Sequence, residues 1–310
     1  MNFAKNKNKI IVLITTTVVL VGVFLFYFLS KKEEIIIESE VNIAEEKIDP
    51  FEDLVLEAKS AFVWDTYENK IIYSMNGEAQ LPLASLTKLM TALVVSELVP
   101  EGIIVTIDSQ DINEEGDSGF LMGEKWRLAD VLDFTLVSSS NDGAHALASI
   151  IGSINTGEGQ TQEEMFIKEM NQKAQNLGLI QTYFLNESGL DVSQDVGGAY
   201  GSAKDVAMLM GQIIKEKPQI LEATKYSSLE IKSKDFTHTV YNTNQYAEAI
   251  PGIIASKTGF TDLAGGNLVI AFDIGIGHPI IVSVLGSSRE GRFKDVGKLV
   301  SASIEKVAQE

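Results

Sequence analysis

Residues 81–98 read LPLASLTKLMTALVVSEL, and their apolar positions repeat with a helical period. The repeated positions are Leu86, Leu89, Met90, Leu93, Val94 and Leu98. A spacing near 3.6 residues predicts a helix with a wide buried face rather than a strand. Pro82 and Ser85 precede the pattern, where the start of a helix is usually marked. We therefore predict a largely buried helix that begins close to Ser85.

The start of this helix carries a serine and a lysine that can meet. Residues three positions apart lie on one helix face, as Ser85 and Lys88 do. A serine hydroxyl attacks a carbonyl only when a neighbouring base takes its proton, and a lysine is such a base only when its amine is neutral. Burial would lower the pKa of Lys88 and favour the neutral form. The helix N-terminus would also stabilise an oxyanion beside Ser85.

The serine-lysine spacing is not specific by itself, because it occurs again at Ser303 and Lys306 in the sequence SIEK. We interpret that second pair as a solvated face of a helix. An isolated pair of this kind is more often a helix cap with a surface lysine than a catalytic site. Other parts of the chain must therefore decide whether Ser85 is a nucleophile.

Two further motifs contain residue types that could assist a serine nucleophile. One is Ser139-Ser140-Asn141, although the same S-x-N pattern also occurs at 74–76 and 153–155. The other is Lys257-Thr258-Gly259, which occurs once, in a strand-like run. Such a strand offers a charge, a hydroxyl and an open backbone edge to an extended substrate that ends in a carboxylate. The simpler interpretation is an exposed lysine before a turn.

The composition excludes several classes of protein. The 310-residue chain is 45% hydrophobic, which is ample for a large core, and its formal net charge is -18. An acidic chain is not expected to bind nucleic acid, since a phosphate backbone requires a basic surface. The absence of cysteine excludes disulfides and thiolate metal sites. His145, His238 and His278 lack metal-ligand spacing, so we predict no metal or cofactor and interpret each as a surface or packing residue.

An apolar segment near the N-terminus could cross a membrane. Residues 10–29 read IIVLITTTVVLVGVFLFYFL, and as a helix they would span about 30 Å, the thickness of a bilayer core. We predict a transmembrane anchor at 10–30 behind a basic cytoplasmic terminus at 1–9, with the rest of the chain on the extracytoplasmic side of the cell membrane. The alternative is a cleaved signal peptide. Its apolar region would be shorter and would end in small residues, whereas aromatic residues here lead directly into lysines.

The anchor is followed by a segment of different composition. Residues 31–50 read KKEEIIIESEVNIAEEKIDP, are rich in acidic side chains and end at a proline. We predict that this segment is a stalk between the membrane and a domain at 51–310.

Within that domain, strands are predicted at both ends and helices between them. The predicted helices are 51–60, the helix that begins near Ser85, 128–136, the run that begins near Ala144, 165–179, 203–214 and 291–309. The predicted strands are two runs within 61–76, 103–107, 253–261, 267–276 and 279–287. This order indicates an α+β fold, in which both chain ends build one antiparallel sheet around a helical insertion.

The three motifs occur in the order S-x-x-K, S-x-N and K-T-G, as in class A β-lactamases and penicillin-binding proteins. Beyond the motifs, the chain resembles the low-molecular-mass penicillin-binding proteins, the serine D-alanyl-D-alanine carboxypeptidases of peptidase family S11. The matching stretches are PLASLTKLMTALV, SSSNDGAHALA, FIKEMNQKAQNLGL, TYFLNESGLD, YNTN and PGIIASKTGFTDLAGGNLV. The resemblance implies a β-lactamase/DD-peptidase-like fold, peptidoglycan stem peptides ending in D-Ala-D-Ala as substrates, and β-lactam antibiotics as inhibitors.

The resemblance also implies a role for each catalytic residue. Ser85 would form the acyl-enzyme and Lys88 would be the base that activates it. Ser139 would relay a proton to the leaving amine. Asn141 would hold Lys88 and the substrate backbone.

The same resemblance places the substrate-binding residues on the K-T-G strand. Lys257 and Thr258 would bind the terminal carboxylate, with Gly259 beside them. The backbone N–H groups of Ser85 and Phe260 would form the oxyanion hole.

Alternative functions remain open at this level. The chain ends soon after the last predicted strand, so we expect it to lack the second β-rich domain and C-terminal anchor of many such carboxypeptidases. Shorter relatives cut cross-links between peptides, which makes an endopeptidase an alternative. A class A-like β-lactamase would use a loop glutamate to activate water, but we interpret Glu187 as an ordinary loop residue. A catalytically silent peptidoglycan-binding domain would be expected to have lost one of the motifs.

Overall fold

The computed structural model describes residues 3–37, 48–116, 119–154 and 161–309. These residues form two compact units, Met1–Ile48 and Asp49–Glu310. The first unit consists of one helix, α1 (Phe3–Ile37). Within it, Ile14–Lys31 has a mean hydropathy of 1.8, so α1 is long and apolar enough to cross a bilayer. The helix continues into the first residues of the predicted stalk, and 38–47 lie outside the described residues.

The second unit contains helices and strands in the predicted order. Its helices are α2 (Lys88–Leu98), α3 (Leu128–Ser138), α4 (Asn141–Ile154), α5 (Gln162–Asn176), α6 (Ala203–Glu216) and α7 (Gly291–Ala308). Its strands are β1 (Ser60–Asp65), β2 (Lys70–Met75), β3 (Leu81–Pro82), β4 (Ile104–Thr106), β5 (Lys125–Arg127), β6 (Tyr183–Phe184), β7 (Ala199–Gly201), β8 (Ser228–Lys232), β9 (Thr237–Tyr241), β10 (Ile253–Thr261), β11 (Gly265–Asp273) and β12 (Pro279–Ser287).

The main sheet has five antiparallel strands in the order β10-β11-β12-β1-β2. The first strand of the domain therefore pairs with the last, and Ser60 lies opposite Leu285. All nine residues of β11 and β12 alternate between two covered faces, which explains their nearly unbroken apolar sequence. The predicted α+β fold, with one antiparallel sheet built from both chain ends, is confirmed.

The two faces of the sheet pack against separate apolar clusters. One cluster joins the sheet to the helical part of the domain and contains Leu89, Leu93 and Trp126. The other lies under α7 and contains Phe272, Val282 and Leu299. Helix α2 is buried on all sides from Lys88 to Val95, so the helix predicted to have a wide buried face is in fact central. A charged residue in such a helix must find polar partners within the core.

The predicted helix at 51–60 is wrong, because these residues form turns that lead into β1. Long-range contacts replace the local helical hydrogen bonds. The backbone N–H groups of Glu57 and Ala58 donate to the two carboxylate oxygens of Asp295 on α7, at 3.0 and 2.9 Å. The segment thus ties the start of the domain to its closing helix.

Two further differences concern the C-terminal half. Ser303, predicted to lie on a solvated helix face, is fully buried and donates to Leu299 O at 2.6 Å, whereas Lys306 forms a partly exposed ion pair with Asp49. The hairpin of β8 and β9 was not predicted. Its strands present alternating exposed and half-buried residues at the edge of the helical part, so the sequence carries only a weak strand pattern.

Candidate active site

Ser85 lies in a tight turn that precedes α2. Ala84–Thr87 form a 3₁₀ helix, so the regular α-helix begins at Lys88 rather than at Ser85 as predicted. Ala84 has a φ of 48°, a left-handed conformation that costs a residue with a side chain about 1 kcal/mol or more. Neighbours hold the turn in place: Thr87 Oγ1 donates to Ala84 O at 2.7 Å, and Asn267 Nδ2 donates to Leu83 O at 3.0 Å.

Lys88 is fully buried and its amine has three oxygen neighbours. Lys88 Nζ lies 3.1 Å from Ser85 Oγ, 2.6 Å from Asn141 Oδ1 and 2.7 Å from Ser188 O. Removal from solvent lowers the pKa of Lys88 to about 7, although the negative charge of Glu187 opposes this shift. A large fraction of the amine is therefore neutral at physiological pH. The pair meets the geometric requirement for a nucleophile and its base.

The S-x-N motif forms the corner between α3 and α4, and each residue has a different task. Ser139 ends α3 with a φ of 63°, which turns its hydroxyl towards β10. The hydroxyl of Ser140 accepts from Gly143 N at 2.8 Å and caps α4. Asn141 opens α4 and bonds Lys88 through Oδ1 while its Nδ2 donates to Glu115 O at 2.6 Å. The second and third motif residues thereby fix the first.

The K-T-G motif lies on β10, opposite this corner. Lys257 is 1% exposed, and its Nζ donates to Ser139 Oγ at 2.7 Å and to Thr258 O at 2.8 Å. Burial, together with the positive charges of Lys88 and Arg292, places the pKa of Lys257 well below its usual value. The hydroxyl of Thr258 donates to Thr243 Oγ1 at 2.6 Å. Two lysines thus face one cleft, each bonded to a serine hydroxyl.

Gly259 brings the edge of β10 against the nucleophile turn. A Cβ atom there would lie 2.8 Å from Leu83 O and 3.2 Å from Ser85 N, so only glycine permits this approach. The N–H of Ser256 points away from β11, since it donates to Thr224 Oγ1. N–H groups two residues apart share a direction along a strand, so the N–H of Phe260 also points outward from β11. This arrangement is compatible with an oxyanion hole formed with Ser85 N.

Sequence reasoning missed four residues that hold the site together: Ser188, Gly189, Thr243 and Asn267. Gly189 has a φ of 81°, and a Cβ atom there would lie 2.6 Å from Thr87 Oγ1, so the 185–198 loop presses directly on the nucleophile turn. The other three act through a backbone carbonyl, a hydroxyl and an amide. All four lie within stretches quoted for the resemblance, but no chemical motif marks them individually.

Glu187 differs from the ordinary loop residue that we expected. It is 3% exposed, and its Oε1 lies 3.3 Å from His145 Nδ1. His145 is therefore one half of a buried ion pair rather than a simple packing residue. His238 and His278 also pair with carboxylates, Glu124 and Asp65, each at 2.7 Å.

A cavity of about 300 Å³ opens beside Ser139 and Asn141. Phe134 and Tyr241 form opposite parts of its lining, and Tyr241 is 70% exposed. The hairpin that the sequence analysis missed thus contributes one wall next to the cleft.

Residues 46–289 match the D-alanyl-D-alanine carboxypeptidase family, peptidase S11. The chain belongs to this family. It is 30% identical over 254 residues to the D-alanyl-D-alanine carboxypeptidase DacF of Bacillus subtilis, an alignment that covers 80% of this chain and 62% of the relative. It is 29% identical over 257 residues to a D-alanyl-D-alanine endopeptidase of Pseudomonas aeruginosa, covering 79% of this chain and 76% of the relative.

A solved structure supports the fold of the family member described here. The structure of penicillin-binding protein D2 from Listeria monocytogenes, in an ampicillin-bound form, superposes with a TM-score of 0.66 at 29% identity. The match covers 81% of this chain and 98% of the Listeria chain. The predicted resemblance and the DD-peptidase-like fold are therefore confirmed.

Proposed function

We propose that the chain is a serine D-alanyl-D-alanine carboxypeptidase that trims peptidoglycan stem peptides through an acyl-enzyme at Ser85. The observation that carries the proposal is one cleft in which Lys88 bonds Ser85 and Lys257 bonds Ser139. Membership of the S11 family supports the choice of substrate, a peptide that ends in D-Ala-D-Ala.

Acylation begins with transfer of the Ser85 hydroxyl proton to the neutral amine of Lys88. Ser85 Oγ then attacks the carbonyl carbon between the last two D-alanines, and the N–H groups of Ser85 and Phe260 stabilise the oxyanion. Ser139, bonded to Lys257, donates a proton to the nitrogen of the departing D-alanine. The peptide bond breaks, D-alanine leaves, and the rest of the peptide remains as an ester on Ser85. Water then hydrolyses that ester.

Lys257 and Thr258 are proposed to bind the terminal carboxylate of the substrate. The pKa of Lys257 is lowered in the empty cleft, chiefly by burial. A carboxylate that enters the same cleft stabilises the ammonium form, because an opposite charge favours the charged state of its partner. Binding therefore recruits a proton to Lys257 and creates a charge-assisted hydrogen bond where the substrate ends.

A direct comparison of two substrates tests this function and its nearest alternative, an endopeptidase. The full chain in detergent should release D-alanine from a stem pentapeptide ending in D-Ala-D-Ala faster than it cleaves a cross-linked peptide dimer. Chromatography of the products measures both rates. Faster cleavage of the dimer would favour the endopeptidase, and no reaction with either substrate, nor with penicillin, would favour a catalytically silent binding domain.

The lifetime of a penicillin adduct tests the other alternative, a β-lactamase. We expect intact-mass spectrometry to show one added β-lactam that persists after free drug is removed, because the tethered leaving group blocks the hydrolytic water. A glutamate that activates such a water contributes about 100-fold or more to hydrolysis. The buried Glu187 bonds His145, so Glu187→Gln should change the lifetime by less than about threefold when Lys88 is neutral. Rapid loss of the adduct, slowed strongly by Glu187→Gln, would support the β-lactamase.

We further propose that residues 10–30 anchor the enzyme in the cell membrane as a single span, with residues 31–50 as a stalk and the catalytic domain, 51–310, on the extracytoplasmic side. The length and hydropathy of α1 support the anchor, and the lysines before residue 10 support the orientation. Protease added outside intact cells should cut the domain from the membrane. Complete protection of the domain would contradict this orientation.

A further inference from the structure

A buried ion pair lies next to the catalytic cleft and takes no part in the mechanism above. His145 Nδ1 on α4 lies 3.3 Å from Glu187 Oε1, and the Glu187 side chain is 4% exposed. Glu114 Oε1 lies 4.0 Å from the same ring nitrogen. Carboxylates are almost never buried without a partner, so the pair is an imidazolium with a carboxylate.

The backbone at Glu187 and Ser188 connects this ion pair to Lys88. Ser188 O accepts from Lys88 Nζ at 2.7 Å, and Glu187 O accepts from Thr91 Oγ1 at 2.6 Å. Both donors lie on one face of α2, so the loop is clamped onto the face that carries the base. A movement of the Glu187 side chain would therefore disturb one of the three oxygens around the Lys88 amine.

Negative charges outnumber positive charges around His145. The groups that face this region are Asp108, Asp111 and Glu114 before α3, Asp142 on α4 itself, Glu163 on α5, Glu187 in its loop and Lys88 on α2. The charges of Glu187 and Glu114 raise the pKa of Lys88 and so oppose the effect of burial. The hydrogen bond to Glu187 is the largest cause that raises the pKa of His145 to about 9, which keeps the ring positive at neutral pH.

We propose that His145 is a positioning residue for acylation: its imidazolium holds the Glu187 carboxylate away from Lys88 and cancels the negative charge that would keep the Lys88 amine protonated. Lys88 then remains available as the base for Ser85 at neutral pH. The inference rests on the proposed function, since it concerns the activation of Ser85.

The pH dependence of acylation by a fluorescent penicillin tests this role in the full chain. The rate rises as the pH passes the pKa of Lys88, because only the neutral amine accepts the serine proton. His145→Gln leaves the charge of Glu187 uncompensated, so the rise should move to higher pH by about one unit, a loss of about tenfold below the rise. Glu187→Gln should move the rise to lower pH. The double variant should return it to the wild-type position or below.

The matched control is His278→Gln, which removes another histidine-carboxylate pair, with Asp65 at 2.7 Å, at the end of β1. It should leave the position of the rise unchanged. Partial unfolding of any variant lowers the plateau of the rate without moving the rise. A lower plateau at an unmoved pH in His145→Gln, or a shift that Glu187→Gln does not reverse, would overturn the inference. A wild-type chain that never acylates would instead overturn the proposed function.

Discussion

Replacing Ser85 with alanine should abolish the covalent penicillin adduct and the release of D-alanine. The reason is that the proposed acyl-enzyme has no other oxygen to form on, since the Ser139 hydroxyl is bonded to Lys257 and not to the base. Lys88→Ala should lower the acylation rate by about 100-fold to 10,000-fold, the usual contribution of a general base. Intact-mass spectrometry over time measures both effects.

The second serine-lysine pair of the same spacing provides the control for this experiment. Ser303→Ala and Lys306→Ala should acylate at the wild-type rate, because Ser303 bonds only the backbone of its own helix and Lys306 pairs with Asp49 near the surface. An adduct that forms normally on the Ser85→Ala protein would place the nucleophile elsewhere in the chain.

Lys257→Ala should reduce kcat/KM by about 100-fold for a peptide with a free D-alanine carboxylate, and by less than about tenfold for the same peptide ending in an amide. The difference arises because only the free carboxylate forms a charge-assisted bond with the ammonium group. The part of the loss shared by both peptides reports the contact between Lys257 and the hydroxyl of Ser139. Steady-state kinetics on the peptide pair measures both values.

An exposed lysine serves as the control for that substitution. Lys204 forms a surface ion pair with Glu78, so Lys204→Ala should change kcat/KM little for either peptide. Equal losses for both peptides in Lys257→Ala would contradict a carboxylate-binding role and leave Lys257 only the positioning of Ser139.

The parts of the fold predicted correctly are those whose pattern is set by burial on one or two faces. The period of α2 and the apolar runs of β11 and β12 follow directly from the core that they form. The predicted helix at 51–60 failed because the local pattern competes with Asp295, which captures two backbone N–H groups from far along the chain. Such a contact leaves no local signal in the sequence.

The candidate site was predictable to the extent that its groups are side chains in motifs. Lys88 and Lys257 are found in that way, and the structure adds why their amines are buried. Ser188 was missed because it contributes a carbonyl oxygen, which any residue possesses. His145 and Glu187 were misjudged because their pairing depends on the packing of a loop against α4, which spacing in sequence does not reveal.

The pairing of Ser60 with Leu285 also bears on the order in which the protein can fold. Strand β10, which carries Lys257, joins β1 only through β11 and β12, so the sheet is incomplete until the C-terminal third has been synthesised. Contacts between such distant residues carry a large loop-closure cost and form slowly. The helices that carry Ser85 and Ser139 must therefore wait, with apolar surface exposed, for strands made last. Shortened chains that stop before β12 cannot bring both lysines to the cleft, so activity should arise only in finished molecules.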